Sequence, residues 1–175
     1  MTLLELRKYL RKDIKRWGGK SGLYLYLMKK EFRLVFRYRI LKYFESHVLT
    51  RPLYFIERFL YHQSCNHCGC DIPSHVSIGA GFKILHSWGI VINSHSIIGE
   101  NCTIVSGALI GATRTGVPII GSNVSIGAHA IILGGIKVEN DAEIGAGAIV
   151  THDVPTNGVV YSDASELRRI KNTNI

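Results

Sequence analysis

The 175-residue chain allows one main domain plus a smaller appendage, and its hydrophobic content of 46% is ordinary for a globular protein. No run of eighteen uncharged apolar residues occurs, and the opening MTLLELRKYLRKDIKRW is interrupted by charge throughout. A spanning helix and a secretory signal are thereby disfavoured, and a cytoplasmic protein is the expectation. The net charge of +8 is uneven: residues 1–64 hold 15 of the 21 Lys and Arg against five acids, a balance of +10, whereas the remainder comes to −2.

Residues 1–66 read as a basic, aromatic-rich α-helical region. In residues 1–17, Leu3, Leu6, Tyr9, Leu10, Ile14 and Trp17 share one stripe, with Arg7, Lys8, Arg11, Lys12 and Lys15 around it. Gly18-Gly19 and Gly22 break that helix. A second helical stretch is expected from about Leu23 to Leu49, and a third from Pro52, a residue favoured early in a helix, to His62. Such helices suit the covering of an open end of a repeat structure, and bases flanking Tyr, Phe and Leu also suit an anionic membrane surface. The two roles are compatible. No nucleic-acid recognition motif accompanies the charge, so nucleic acid is not an expected partner.

Three of the four cysteines cluster in His62-Gln-Ser-Cys65-Asn-His67-Cys68-Gly-Cys70. C-x2-C with nearby histidines admits a structural zinc reading. No second ligand pair follows at finger-like spacing, which favours reduced structural cysteines, Cys70 pointing into or capping the coil that follows, and no metal is expected.

From residue 72 an aliphatic side chain returns every sixth position: Ile72, Ile78 and Ile84, then Ile92, Ile98, Ile104 and Ile110, then Ile120, Ile126, Ile132, Val138, Ile144 and Val150. The fourth residue after each is usually small or apolar (Val76, Ser96, Cys102, Ala108, Val124, Ala130, Ala142, Ala148, Val154), and the next position after the hit is often Gly. Neither a helix (period 3.6) nor a lone strand (period 2) sustains a period of six, whereas a parallel β-helix of hexapeptide repeats does. Three hexapeptides make one coil, so residues 67–155 predict a little over four coils, stabilised by stacking. The period breaks twice, with a step of eight between Ile84 and Ile92 and of ten between Ile110 and Ile120. The second break creates a loop at 111–119, GATRTGVPI, of the kind that emerges at a solenoid corner and closes over a ligand. The tail, 156–175, contains Glu166-Leu-Arg-Arg-Ile170, compatible with a short helix or strand.

Polar residues gathered at a corner are the candidates for chemistry, since the architecture alone does not define function. Asp71, His75, His86 and His95 are the relevant ones. Asp71 and His86 are 15 apart, three short of one coil, which puts them on successive coils near one corner. Stacked strands lie about 4.8 Å apart, within reach of a carboxylate for an imidazole. An Asp that holds one ring nitrogen leaves the other free as a general base.

Residues 70–152 resemble the serine acetyltransferase family of left-handed β-helix acyltransferases. The resemblance runs through DIPSHVSIGAGFKILHSWGIVI (71–92), IGAHAIILGGIKV (126–138) and IGAGAIV (144–150), and the family's D-I-x(13)-H arrangement falls without gaps on Asp71 and His86. It implies acetyl-CoA-dependent O-acetylation in homotrimers with active sites between neighbouring β-helices. His86 would take the proton of the acceptor hydroxyl, Asp71 would orient it, and transfer would be direct. Gly111-Ala112, Gly127-Ala128 and Gly145-Ala146 would line the pantetheine groove.

This chain departs from the family at three places. Leu85 stands where an Asp precedes the catalytic His, Arg114 in the shortened loop has no adjacent His, and a basic helical region replaces a large acidic one. A zwitterionic amino acid needs paired charges, because a buried unpaired charge is costly. The resemblance is therefore closest in character to the short O-acetyltransferases of capsule and exopolysaccharide assembly, of the colanic-acid type. Leu85, Arg114 and His95 are the candidate contacts for a saccharide acceptor, lipid-linked in the version that uses the basic helices at a membrane. Serine acetylation and a non-catalytic trimeric scaffold are the alternatives. Zinc chemistry of the carbonic anhydrase β-helices would need three converging histidines, and His75, His86 and His95 do not repeat at coil spacing.

Overall fold

The structure, a computed structural model, describes residues 1–19, 21–47 and 50–162. Among the described residues the chain opens with four helices: α1 (Leu3–Arg16), α2 (Gly22–Met28), α3 (Lys30–Glu45) and α4 (Arg51–Cys68). A capping box starts α1, in which the Thr2 hydroxyl accepts from the Glu5 N–H and the Glu5 carboxylate accepts from the Thr2 N–H. The single helix expected over 23–49 is two helices, because Lys29 takes an extended conformation (φ −120°, ψ 106°). That break turns both Leu25 and Phe32 into the interior. No Gly or Pro announces it in the sequence.

Helix α4 runs past the expected His62 to Cys68. It ends at Gly69 in the left-handed conformation (φ 64°), in a Schellman motif: the Cys70 N–H donates to the Cys65 carbonyl and the Gly69 N–H to the Asn66 carbonyl, both at 3.1 Å. The cysteine run is thus the last turn of a helix and its cap.

The six-residue period becomes a parallel β-helix with three sheets as its faces. One face stacks β1 (Ser77–Ile78), β4 (Ile97–Ile98), β7 (Ile119–Ile120) and β10 (Lys137–Val138). The second stacks β2 (Lys83–Leu85), β5 (Thr103–Val105), β8 (Ser125–Ile126), β11 (Glu143–Ile144) and β13 (Val159–Val160). The third stacks β3 (Val91–Ile92), β6 (Leu109–Gly111), β9 (Ile131–Leu133) and β12 (Ile149–Val150). Every pairing is parallel, and like positions stack on like: Ile84 on Ile104 on Ile126 on Ile144, and Ile92 on Ile110 on Ile132 on Val150. Four turns are complete and β13 begins a fifth.

All thirteen aliphatic repeat positions are buried, each contributing about 1.5–3 kcal/mol relative to exposure. At one corner Asn101, Asn123, Asp141 and Asn157 all take positive φ, 58° to 61°. Side-chain amides link them up the stack, Asn101 to Asn123 at 3.2 Å and Asn123 to Asp141 at 3.0 Å. Asn and Asp tolerate this backbone better than other non-glycine residues.

The helices cover the open end of the first coil, whose unpaired carbonyls would otherwise form an exposed edge. Tyr61 donates to the Ile72 carbonyl, Tyr38 to Val76, Arg39 to Ile78 and Gly79, and the Trp17 indole to Phe82. Among the described residues no helix is long and apolar enough to cross a membrane. Residues 163–175, including the segment 166–170 considered above, lie outside the described residues.

Candidate active site

His86 follows β2 directly. A regular corner of this type runs from Ile104 to Ile110 in six residues; here Ile84 to Ile92 takes eight, because His86 and Ser87 are added. The extra residues are accommodated with His86 at φ 55°, a conformation a non-glycine residue adopts only at a local energetic cost. Its side chain is exposed, while Ser87 turns inward. The break in the period is what lifts the imidazole out of the prism wall.

Asp71 lies on the neighbouring coil. It forms a parallel bridge with Val91 in β3: its N–H donates to the Ile90 carbonyl at 2.8 Å, and its own carbonyl accepts from Ile92. The Gly89 N–H donates to the Gly69 carbonyl, so the segment carrying Asp71 rests on the one that follows His86. Both side chains are exposed at the same edge, and no hydrogen bond joins them in the single chain.

Below His86 the same corner repeats as Ser106-Gly107, then Ala128-His129, then Ala146-Gly147. Backbone bonds tie the column together: Ser106 N–H to Leu85, Gly107 N–H to Trp88, His129 N–H to Ser106 and Gly147 N–H to Ala128. Ala146 is exposed and Ala128 half-buried, so the column beneath the imidazole is built of small residues apart from the exposed His129, whose ring lies against Gly107. Gly127 and Gly145 precede those alanines and are small for a different reason. A Cβ on Gly127 would come within 2.6 Å of the Ala146 nitrogen on the next coil. His129 also belongs to this column, two turns below His86. Its repeat register with His86 was the available signal in the sequence.

Gly111 and Ala112 lie elsewhere, at the end of β6, where the 111–119 loop leaves the next corner. That loop folds as a tight turn closed by Thr113 and Gly116, and the Thr115 hydroxyl accepts from the Gly135 N–H at 3.0 Å. Arg114 sits exposed at its tip. His95 and His75 share this corner with it, between the faces of β3 and β4. Within one chain Arg114 and His95 are therefore separated from His86 by a full face of the prism, while Leu85 adjoins it.

A depression of roughly 650 Å³ opens beside His86, lined by Trp17, Lys29, Lys30, Arg33, Lys83 and Leu85 among others. The Lys30 ammonium also lies 4.9 Å from the centre of the Trp88 ring, and Trp88 backs onto Gly69. Lys29, Lys30 and Arg33 belong in the sequence to the basic region 1–66 and Lys83 to the repeat segment 71–92, and nothing local aims them at His86.

The cysteines lie behind Asp71. Contact with Cys70 holds the Cys65 thiol below its ordinary range and pushes Cys70 up. Cys68 faces away toward the Lys30 carbonyl, and burial raises its thiol. Among the described residues no three His, Cys, Asp or Glu side chains gather as metal ligands would.

Residues 118–152 match the family model of the bacterial transferase hexapeptide (six repeats). The chain is 37% identical over 106 residues to the colanic acid biosynthesis acetyltransferase WcaB of Escherichia coli K12, across 59% of this chain and 65% of that one. It is 37% identical over 132 residues to a serine acetyltransferase of Helicobacter pylori 26695, across 73% of this chain and 77% of the relative. The solved serine acetyltransferase of Neisseria gonorrhoeae in complex with serine superposes with a TM-score of 0.75 at 27% identity, over 91% of this chain and 67% of that one. The chain thus spans just under two thirds of the length of the colanic-acid relative it matches. With the repeat, the corner histidine and these similarities together, the chain belongs to the hexapeptide-repeat acetyltransferase family.

Proposed function

We propose that the protein is an acetyl-CoA-dependent O-acetyltransferase that acetylates a hydroxyl of a saccharide acceptor. The observation that carries this reading is the corner column: an exposed imidazole, lifted out by a two-residue insertion, stands above a column of small residues interrupted by the His129 ring. An acyl thioester threaded along Ala146 and Ala128 would present its carbonyl at His86. The imidazole then accepts the acceptor's hydroxyl proton as the oxygen attacks, the C–S bond breaks, and the imidazolium returns that proton to the sulfur so that CoA leaves as the thiol. Asp71 orients the ring. General-base help of this kind contributes about 10²- to 10⁴-fold.

Separation of Arg114 and His95 from His86 within one chain supports a trimer, in which a neighbour's 111–119 loop completes the site. Outward side chains agree with this. Val91, Ile97, Ile119 and Ile149 are exposed apolar residues on the first and third faces, whereas the second face presents Lys83, Thr103, Ser125 and Glu143 along its middle, with exposed Leu85 and Val159 at its two ends. Leu85 supports a saccharide over an amino acid, because it offers no charge to an ammonium group. Exposed Leu53, Phe55, Ile56 and Phe59 with Arg51 and Arg58 on α4 support peripheral contact with an anionic bilayer.

Serine acetylation is the second reading, favoured by the Helicobacter relative and the Neisseria structure with serine. Thiol release from acetyl-CoA, measured with saccharides and with free serine, separates the two. Saccharide-dependent release with serine silent supports the proposal, and turnover with serine alone overturns it.

A further inference from the structure

The depression beside His86 is more cationic than a neutral sugar requires. Lys29, Lys30, Arg33 and Lys83 all line it, and among the described residues none of the four is in an ion pair. The acids that could neutralise them are engaged elsewhere. Asp13 is bound to Arg39, Glu57 to Arg37, Glu45 to Lys42, and Glu5 closes the α1 capping box. Glu31 is the acid at the depression, and its carboxylate accepts from Ser87 at 3.4 Å.

A second depression, of roughly 270 Å³, shares Lys30 and Arg33 with the first and adds Arg37 and His67 between α3 and α4. Arg37 there is paired with Glu57, so the unpaired cations Lys30 and Arg33 lie where the two depressions meet. Like charges held together repel, and their field concentrates an anion in the cleft they line. Glycosyl hydroxyls need only neutral hydrogen-bond partners, so four cations against the single acid Glu31 point to a charged group on the acceptor.

Resting on the saccharide reading above, we propose that the acceptor carries a phosphoryl or diphosphoryl group. Lys30, Arg33 and Lys83 hold that group, and the glycosyl hydroxyl lies against His86. Arg33 offers a planar fork suited to phosphate oxygens, and the lysines act as point charges. A nucleoside-diphosphate sugar and a lipid-diphosphate sugar share this chemistry. Exposed Leu23, Leu27 and Met28 on α2, the last lining the depression, would favour the lipid form.

The test is binding of glucose 1-phosphate and of glucose to the full chain with CoA saturating, so that the cofactor occupies its own phosphate contacts. His86 imidazole resonances report on the site. The proposal expects glucose 1-phosphate to bind at least about tenfold more tightly than glucose. The R33Q/K83Q double variant should lose that advantage, as should wild type in high salt. Equal binding of the two sugars, or a phosphate preference that survives R33Q/K83Q, overturns it. Thiol release with a hexose, its 1-phosphate, a nucleoside-diphosphate hexose and a prenyl-diphosphate hexose then identifies the source of the phosphate. Turnover of neutral hexose at the same kcat/KM as the phosphorylated forms would overturn this inference while leaving the saccharide reading intact. Turnover of serine alone would end both.

Discussion

Asp13 of α1 and Arg39 of α3 meet in a buried ion pair, with Nε to Oδ2 at 2.9 Å and the two side chains 0% and 1% exposed. The pair joins the helices to the first coil. Arg39 donates to the Ile78 and Gly79 carbonyls at 2.7 and 2.6 Å, and Asp13 accepts from the Gly81 N–H at 2.7 Å. Gly81 heads the corner continued below by Asn101, Asn123, Asp141 and Asn157, so the carboxylate caps that stack from above. Breaking such a pair leaves one charge buried without its partner, at a cost of about 3–5 kcal/mol. Asp13→Asn keeps an acceptor for Gly81 but strips Arg39 of its counter-charge, and should lower stability by about that amount in urea unfolding. A loss under about 1 kcal/mol would show that the pair does not anchor the cap.

The exposure of His86 separates its role from folding. His86→Ala should lower acetyl transfer by at least about a hundredfold, with circular dichroism and the unfolding midpoint unchanged. Asp71→Asn should lose less, because it leaves the base in place without its orienting charge. An active His86→Ala protein would remove the general base from the proposal.

Two positions one residue apart test whether the corner column is a cofactor strip. Ala146→Trp, at an exposed site, should raise the KM for acetyl-CoA by about tenfold or more with little change in stability. Gly145→Val should instead destabilise the fold, since even a Cβ there would lie 3.0 Å from the Val160 carbonyl oxygen. Equal effects of both substitutions on KM and stability would argue against a strip that only Ala146 exposes.

Burial raises the Tyr38 hydroxyl to about 12, although the neighbouring Arg39 pulls it back. The folded state keeps this proton to higher pH than the unfolded chain, whose phenol ionises near 10. Stability from Tyr38 is therefore intact below pH 10 and declines as pH rises toward 12, by about 2–3 kcal/mol in total. Tyr38→Phe should flatten that part of the alkaline stability profile. The substitution also removes the donor to the Val76 carbonyl, so it should be less stable than wild type at pH 7. A wild-type curve that is flat from pH 10 to 12 would contradict this account.

Ser96 occupies an inward position filled elsewhere by Ala, Val or Cys, and its buried hydroxyl has no partner among the described residues. Removing an unsatisfied buried hydroxyl relieves a penalty of about 1–3 kcal/mol. Ser96→Ala should therefore raise the thermal midpoint, and a fall in that midpoint would refute the reading.

What the sequence determined by itself was the solenoid. Ile72 through Val150 satisfy the same local demand thirteen times, an aliphatic side chain turned into a narrow prism, so the demand prints its own period. Both interruptions were legible for the same reason, although only the structure shows that the first of them lifts out His86. The Asp71–His86 spacing was visible too, because coil length converts sequence distance into height along the stack.

Only the tertiary structure decided the rest. Asp13 and Arg39 are 26 residues apart and Asp13 meets Gly81 across 68, distances at which no periodic pattern operates. The bend at Lys29 arises because Leu25 and Phe32 must both reach the interior, a demand of packing that local propensity does not carry. Arg114, His95 and His86 all appeared as candidates along the chain, yet the prism assigns the first two to one corner and His86 to another. The cations around His86 come from Lys29 at the break between α2 and α3, from α3 and from β2, and only the seating of the helices on the first coil brings them together. Repetition writes itself into a sequence, whereas a meeting of unlike elements is set by the free energy of the whole packed chain.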